Sequence, residues 1–412
     1  MKIQKVRGFR DILPPEIAKF QRIEDVSREV FERLGFDEIR TAYLEYEEVF
    51  VKSLGQDSDI VQKEMFTFAD SKGRSIVLRP EGTASVVRAY IENGLYTKPG
   101  PHRFYYIGPM FRHERPQKGR FRQFYQAGIE IMGDAGPRSD AEACFVLWQI
   151  VERLGLEDVR LEVNSIGDDE CRPKYREALV EYFEPKQHLL CDDCKRRLSS
   201  NPLRILDCKN EQCRAVAKDA PIMLDYLCDA CRDHYEGFKR YMETVGVPFV
   251  ENPRIVRGLD YYTRTAFELV SSEAGYLGVL AGGGRYDGLV EAMGGPKTPA
   301  VGFALGIDRT AEQLTNAKDD APVVCLIPLG DEAEAFFLKK LGDLARIRAR
   351  FKLGNPKRSL KKQLEWANKM CASYAIIVGE DELKENLAIL RDLDAREQKK
   401  LPLDDAIKRL QR

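Results

Sequence analysis

The sequence lacks long hydrophobic runs. No stretch of 18 uncharged apolar residues occurs, whereas a transmembrane helix needs about 20. The first residues, MKIQKVRGFRDILPPE, also lack the apolar core of a signal peptide. Internal repeats and low-complexity tracts are absent as well. These absences exclude a protein held in the membrane by helices, and we expect a soluble, cytoplasmic protein with no membrane partner.

Charge of one sign is not in excess either, because 65 Lys and Arg stand against 66 Asp and Glu. This balance argues against a protein that coats nucleic acid over its whole surface. A local excess remains, since residues 322–412 contain 19 Lys and Arg against 14 Asp and Glu. We therefore expect the C-terminal part to differ in its partners from the rest.

The 412 residues exceed the length at which one hydrophobic core stops growing, so at least two domains are expected. We place the break near TNAKDDAP, between a domain of residues 1–320 and one of residues 322–412. Within the first, residues 168–248 have apolar residues at helical spacing and most of the cysteines, which indicates an inserted helical domain. The C-terminal segments alternate strand and helix patterns, as in a small α/β domain.

A charged hairpin, YYIGPMFRHERPQKGRFRQFYQAGIEIMG, occupies residues 105–133. Residues two apart share a face of a strand, so Arg112 and Glu114 point one way, as do Phe124, Gln126 and Glu130. A guanidinium suits a phosphate and an aromatic ring can stack on a base. The alternative is a solvated hairpin with surface ion pairs. The flanking segments look buried, however, and buried charges are costly unless they bind something, which favours a ligand site.

The same segment resembles a known family. FRHERPQKGRFRQF is similar to the second signature motif of class II aminoacyl-tRNA synthetases, and GFALGIDR, residues 302–309, to the third. VRGLDYYTRTAFE (256–268) and AGGGRYDGL (281–289) resemble the two histidine-specific signatures of histidyl-tRNA synthetases, and LRPEGTAS (78–85) their amino-acid-binding loop. The resemblance extends from about residue 1 to the end. It implies an α+β fold: a class II antiparallel sheet with flanking helices, a helical insertion and a C-terminal α/β anticodon-binding domain.

The activity implied by this resemblance is that of a histidine–tRNA ligase. The histidine carboxylate attacks the α-phosphorus of ATP to give histidyl-adenylate and pyrophosphate, and histidine then passes to the 3′ end of tRNA(His). The implied cofactors are ATP and Mg²⁺. The implied partners are L-histidine, tRNA(His) and a second copy of the chain in a homodimer. The first class II motif normally carries a proline where this sequence has Ala42, which leaves the local dimer geometry open.

The resemblance also assigns roles to residues of the ATP site. Arg112 corresponds to the residue at the α-phosphate, Glu114 to the one near the adenine amino group and Arg120 to the one near the γ-phosphate. Phe124 and Arg309 correspond to the two sides of the adenine ring. Arg257 resembles a catalytic Arg between the histidine carboxylate and the α-phosphate, where only a planar fork reaches two oxygens at once.

Histidine recognition requires one acceptor and one donor held in a fixed plane, because neutral imidazole offers one of each. By resemblance Glu130 and Tyr262 supply them, and Tyr286 lines the pocket. Glu81, Thr83 and Gln126 face the ammonium group by the same resemblance, and Arg257 also belongs to the histidine site.

Two Cys-x2-Cys pairs, Cys191 with Cys194 and Cys228 with Cys231, are typical of a structural zinc site. The alternative is a set of buried reduced thiols, and the residues leave both interpretations open. Cys208 and Cys213 lie between the two pairs, and we interpret the remaining cysteines as core thiols: Cys144, Cys171, Cys325 and Cys371. His188 and His234 each lie three residues from a paired cysteine, so either could replace a thiolate.

Contacts to tRNA are expected in two places. Residues 346–369 contain nine Lys or Arg and the single acidic residue Glu365, and a basic helix there suits phosphate contacts by Arg358, Lys361 and Lys362. A solvated basic helix is the alternative. Gln117 and Lys118 correspond by resemblance to residues near the end of the acceptor stem.

A second function is compatible with the resemblance. Synthetase-like chains also serve as histidine-binding regulatory subunits of histidine biosynthesis, which do not charge tRNA. Loss of the ATP-site arginines and of the C-terminal domain would mark such a chain. Arg112, Arg120, Arg257 and Arg309 are all present, as is the C-terminal segment, which favours the enzyme.

Overall fold

The computed structural model describes residues 3–56, 58–115, 120–256, 261–271, 278–314 and 321–410. The chain divides into two compact units, Met1–Ala317 and Lys318–Arg412. Among the described residues, no helix combines the length and the hydropathy needed to cross a membrane.

An eight-stranded sheet forms the centre of the first unit, in the order β1-β5-β6-β11-β10-β9-β7-β8. Its strands are β1 (Asp37–Glu38), β5 (His102–Phe111), β6 (Gln123–Met132), β7 (Val159–Ser165), β8 (Val250–Glu251), β9 (Thr263–Ser271), β10 (Val279–Arg285) and β11 (Ala300–Gly306). The six inner strands pair antiparallel, as predicted, while the two-residue strands at the edges pair parallel. The class II fold predicted from the sequence is therefore confirmed, with a mixed sheet rather than a purely antiparallel one.

Strand β6 decides which face of this sheet becomes a site. Its residues Ala127, Ile129 and Ile131 join a core with α1 (Glu16–Arg33) and α4 (Pro137–Leu154). Because side chains alternate along a strand, the polar series with Gln126 and Glu130 is turned to the opposite face. The predicted shared face of the hairpin is thus present, and it lies away from the helical core.

A smaller sheet of β2 (Leu44–Tyr46), β4 (Ser75–Leu78) and β3 (Phe66–Ala69) lies in the same unit, with α2 (Glu47–Leu54) and α3 (Thr83–Glu92). The sequence pattern predicts strand as far as Phe50, and this is wrong, because residues 47–54 are helical. Phe50 and Leu54 are both fully buried and lie four residues apart, the spacing of one helix face.

The inserted segment forms helices around its own apolar core, as predicted. The helices are α5 (Arg172–Phe183), α6 (Asp192–Ser200), α7 (Glu211–Ala217) and α8 (Asp229–Val245). Short single-turn helices connect them. Helix α8 packs on α4, so the insertion is anchored to the helical layer behind the main sheet.

The second unit contains a five-stranded sheet in the order β13-β12-β14-β15-β16. Its strands are β12 (Val323–Pro328), β13 (Arg350–Leu353), β14 (Tyr374–Val378), β15 (Leu387–Asp392) and β16 (Gln398–Pro402). Its helices are α11 (Asp331–Leu344), α12 (Leu360–Lys369), α13 (Glu380–Glu385) and α14 (Leu403–Arg409). Strands β12, β13 and β14 are parallel, as the alternation of strand and helix predicts.

Candidate active site

A cavity of about 1220 Å³ opens on the polar face of the main sheet. Strands β6, β10 and β11 form its floor, and the loop after β5 and residues of the insertion form its walls. Its lining includes these predicted site residues: Glu81, Thr83, Arg112, Glu114, Arg120, Phe124, Gln126, Tyr262 and Arg309. A space of this size accommodates a nucleotide together with a small amino acid.

Arg112 is positioned by the backbone around it. Its N–H donates to the Arg122 carbonyl at 2.9 Å, and its side-chain Nε donates to the Pro80 carbonyl at 2.9 Å. The guanidinium carbon lies 5.3 Å from the centre of the Phe124 ring. Since Nε is used for positioning, the two terminal nitrogens are the ones that can reach an anion.

Positive charge is concentrated at this end of the cavity. Arg120 pairs with Glu114 at 2.8 Å, and Arg309 donates to the Val279 carbonyl at 2.8 Å. Burial, and next the charge of Arg120, lower the pKa of Arg309. A bound anion would relieve this repulsion, so the arrangement suits a phosphate ligand.

Carboxylates face the same cavity. Burial, and next the charge of Glu114, raise the pKa of Glu64. Glu268 also lines this space. Carboxylate oxygens that repel one another beside a phosphate site fit a hydrated Mg²⁺, which binds through one or two carboxylates plus substrate phosphates.

The start of α3 supplies a second polar region. Glu81 is buried and accepts hydrogen bonds from the Thr83 and Ala84 N–H groups, both at 2.7 Å. Burial raises the pKa of Glu81 despite these bonds. Gln126 Oε1 is buried and has no hydrogen-bond partner within the described residues, which leaves an acceptor available at the cavity.

Glu130 lies beneath this region and is almost completely buried. Thr83 Oγ1 donates to one of its carboxyl oxygens at 2.7 Å, and the Tyr286 hydroxyl donates to the other. Burial raises the pKa of Glu130 to about 8. Among the described residues, neither Glu130 nor Tyr286 lines the cavity. The Tyr286 hydroxyl holds Glu130, and the place of both residues in the histidine pocket stays a prediction.

Three predicted residues, Arg257, Gln117 and Lys118, lie outside the described residues. In the second unit, Arg358, Lys361 and Lys362 are exposed at the start of α12. Ser359 occupies the N-cap position there.

Comparison with known proteins places this arrangement in a family. The family model described as "Histidyl-tRNA synthetase" matches residues 8–310, and the one described as "Anticodon binding domain" matches residues 323–412. The chain belongs to the histidyl-tRNA synthetase family. This confirms the predicted family and its enzyme class, an aminoacyl-tRNA synthetase of the histidine–tRNA ligase type.

Individual members of the family match over their full length. Histidine–tRNA ligase of Aquifex aeolicus is 47% identical over 98% of this chain and 100% of its own. That of Halothermothrix orenii is 46% identical over 100% of both chains. The crystal structure of apo histidyl-tRNA synthetase from S. aureus has 35% identity and a TM-score of 0.80, with 100% of both chains covered. A second structure, from Nostoc sp. PCC 7120, has 24% identity and a TM-score of 0.72, which supports the fold.

The cysteines are arranged differently from the prediction. One cluster joins Cys191 and Cys194 to Cys208 and Cys213, and the other joins Cys228 and Cys231 to Cys171 and Asp168. The four predicted ligands therefore do not form one set, and Cys171 is not an isolated core thiol. The chain folds each Cys-x2-Cys pair back onto a different partner segment, which spacing along the sequence does not specify.

Neither histidine replaces a thiolate in the described clusters. His234 Nε2 lies 2.6 Å from the buried Asp140 carboxylate, and His188 is exposed. Sequence reasoning also missed Glu64 and Asp168. The first carries no local signal, whereas Asp168 precedes Cys171 with the same two-residue spacing as the cysteine pairs, and this could have identified it.

Proposed function

We propose that the cavity of the first unit binds L-histidine and ATP side by side, forms histidyl-adenylate and pyrophosphate, and then transfers histidine to the 3′ end of tRNA(His). One observation carries this proposal. Three arginines and an aromatic ring line one end of a single cavity, and the polar start of α3 lines the other. The first set suits a nucleotide and the second suits an amino acid.

At the ATP end, Arg112 contacts the α-phosphate and Arg120 the γ-phosphate. Phe124 and Arg309 enclose the adenine ring, whose amino group lies near Glu114. Arg120 and Glu114 form an ion pair in the structure. Under this proposal ATP breaks that pair, because Arg120 then contacts the γ-phosphate and Glu114 the adenine amino group. Fixed cations stabilise the negative charge that develops on the phosphoryl oxygens during transfer.

Mg²⁺ accompanies the ATP phosphates under this proposal, with Glu64 and Glu268 among the carboxylates that line the cavity. When bound, the ion neutralises phosphate charge. The raised pKa of Glu64 supports this assignment, because a neighbouring cation would favour the ionised carboxylates.

The catalytic residue is Arg257, together with Arg112. In this role Arg257 bridges the histidine carboxylate and the α-phosphate, which brings the attacking oxygen to the phosphorus and balances its charge. A guanidinium reaches both groups at once because its donors form a planar fork.

At the histidine end, the ammonium group meets Glu81, Thr83 and Gln126, and the unpartnered Gln126 oxygen supports this assignment. Tyr262 and Glu130 bind the two imidazole nitrogens, and Tyr286 lines the pocket and holds Glu130 in place. A site with such buried polar groups rejects apolar analogues by roughly 10⁴ to 10⁵, because the groups would be left unpaired.

Partners outside the cavity are also part of the proposal. The second unit binds tRNA(His) through Arg358, Lys361 and Lys362, and Gln117 and Lys118 approach the acceptor end. Two copies of the chain form a homodimer in the cytoplasm. The exposed apolar side chains of Tyr43 and Leu44, next to Ala42, support an interface there, since their exposed fractions are 52% and 50%.

The test is histidine-dependent exchange of pyrophosphate into ATP without tRNA. We expect exchange with histidine and with no other amino acid. Arg257→Lys should lose exchange while calorimetry still detects histidine binding, and Arg33→Lys, an exposed residue of α1, should behave as the parent. Histidine binding without any exchange would instead indicate the regulatory function, and unchanged exchange in Arg257→Lys would refute the role of that residue.

A further inference from the structure

We propose that the inserted helical domain holds two separate Zn²⁺ ions, one bound by Cys191, Cys194, Cys208 and Cys213 and the other by Asp168, Cys171, Cys228 and Cys231. In each group the four ligand atoms lie within 4.8 Å of one another. The two sets share no residue. The metal content of the chain is independent of the proposed catalytic function.

The first site has the dimensions of a zinc tetrathiolate. Cys191 Sγ lies 3.8 Å from Cys208 Sγ. Two sulfurs bound tetrahedrally at a Zn–S distance of about 2.3 Å are separated by about 3.8 Å. A disulfide instead requires sulfurs about 2.05 Å apart, so this spacing suits a shared ion better than a bond.

The second site combines three thiolates with one carboxylate. Asp168 Oδ1 lies 3.4 Å from Cys171 Sγ and 3.9 Å from Cys228 Sγ. An oxygen and a sulfur on one tetrahedral zinc are separated by about 3.6 Å. These three ligand separations, one in the first cluster and two in the second, therefore match those that one tetrahedral ion requires.

The two sites also share a local design. Cys191 and Cys228 each occupy the N-cap position of a helix, α6 and α8 respectively. Cys191 N–H donates to Cys213 Sγ and Cys228 N–H donates to Cys171 Sγ, both at 3.1 Å. Backbone N–H groups directed at sulfur stabilise thiolates, which are the form that binds metal.

The composition of the sites selects the metal. Tetrahedral sets of thiolates, with or without one carboxylate, suit Zn²⁺, whereas Mg²⁺ and Ca²⁺ require oxygen ligands. The ligand sets are complete at four, with no position left for substrate, so both ions are structural. They hold together a segment whose secondary structure consists of short helices.

The second ion has a connection to the candidate histidine pocket, and this part of the inference rests on the proposed function. The other oxygen of Asp168 lies 3.6 Å from the Arg264 guanidinium. Arg264 N–H donates to the Gly167 carbonyl, and Ile166 N–H to the Arg264 carbonyl, both at 2.7 Å. The Arg172 side chain donates to the carbonyl of Tyr262, which lines the cavity. The ion thus positions the backbone that carries Tyr262.

The test is elemental analysis of the full-length protein, purified under reducing conditions without chelators. We expect two zinc ions per chain. Cys208→Ser and Cys171→Ser should each retain one, and Cys371→Ser, which changes an exposed cysteine outside both clusters, should retain two. Less than one zinc per chain in the parent protein, or iron in its place, would overturn the proposal without any variant.

Co²⁺ substitution provides a second readout that does not depend on activity. Thiolate-to-Co²⁺ charge-transfer absorption should correspond to seven cysteine ligands in the parent protein, the total of the two sets. Asp168→Asn should leave the first ion in place and bind the second one 10-fold or more weakly. Saturation at a single ion in the parent protein would contradict the second site.

The link to the pocket is tested by the histidine KM of the exchange reaction. Asp168→Asn should raise this KM with little change in kcat, whereas Cys213→Ser, at a ligand of the other site that does not line the cavity, should raise it less. An unchanged KM after loss of the second ion would overturn the link and leave both metal sites standing. Two zinc ions in a protein without exchange activity would instead contradict the proposed function alone.

Discussion

At the scale of single residues, Glu130 determines how the candidate histidine pocket responds to pH. Burial raises the pKa of its carboxyl group from 4.5 to about 8. Between pH 4.5 and about 8, the Glu130 carboxyl group is protonated in the folded chain and ionised in the unfolded chain. The contribution of Glu130 to the free energy of unfolding is therefore complete below about pH 4.5 and is lost as pH rises toward 8.

We predict that Glu130→Gln removes this part of the pH dependence, because glutamine keeps the shape of the side chain without a titrating group. Urea unfolding at several values from pH 5 to 8 would measure it. The midpoint of the parent protein should fall with pH relative to that of Glu130→Gln. The exposed Glu157→Gln serves as the control and should follow the parent. Parallel curves for the parent and Glu130→Gln would contradict the raised pKa.

Residue faces could be predicted from the sequence, but residue partners could not. The alternation along β6 correctly predicts that Gln126 and Glu130 share a face. The bond from Tyr286 to Glu130 joins residues 156 positions apart. It depends on strands β6 and β10 both flanking β11, which no local pattern specifies. The sequence alone therefore does not predict that Tyr286 holds Glu130.

At the scale of elements, one buried charge network joins strand β10 to helices α4 and α8. Arg285 donates to Asp140, and its side chain is fully buried, as is the Asp140 carboxylate. Asp140 also accepts from Thr265 at 2.6 Å and lies 2.6 Å from His234 on α8. The network therefore fixes the insertion and the main sheet to the same helix.

We predict that Arg285→Met destabilises the first unit by about 3 to 5 kcal/mol, because it leaves the Asp140 charge buried without its main partner. Arg138→Met is the matched control on α4, since it removes an exposed ion pair with Asp134 and should cost at most about 1 kcal/mol. Denaturant unfolding would measure both. Equal losses of unfolding free energy in the two variants would show that the buried ion pair stabilises the unit no more than the exposed one.

At this scale, the sequence predicts helices and strands correctly where the repeat of apolar residues extends over a long segment. The strands of the hairpin have the predicted type, because their alternation runs over ten residues in each strand. The eight-residue helix α2 was predicted as a strand, since few residues distinguish the two periods in so short a segment. The pairing of cysteines into two clusters depends on tertiary folding and had no signal in their spacing alone.

At the scale of the whole molecule, the charge asymmetry of the sequence has a structural counterpart. Helix α12 buries Gln363 and Ala367 against the second unit and carries basic residues outside. Arg358, Lys361 and Lys362 are exposed, and within the part of the chain that is described none of them forms an ion pair. Basic side chains that are held near one another without acidic partners suit a phosphate backbone.

We predict that replacing Arg358, Lys361 and Lys362 together by Gln weakens tRNA(His) binding and lowers the slope of log K against log salt by about 2 to 3, since each phosphate contact contributes about 0.7 to 0.9. Pyrophosphate exchange should be unchanged, because activation of histidine requires no tRNA. A variant with Gln at Lys339, Lys384 and Lys399, exposed residues of the same unit, controls for net charge. If the control weakens binding equally, attraction by overall charge explains the effect and the proposed contact surface on α12 is wrong.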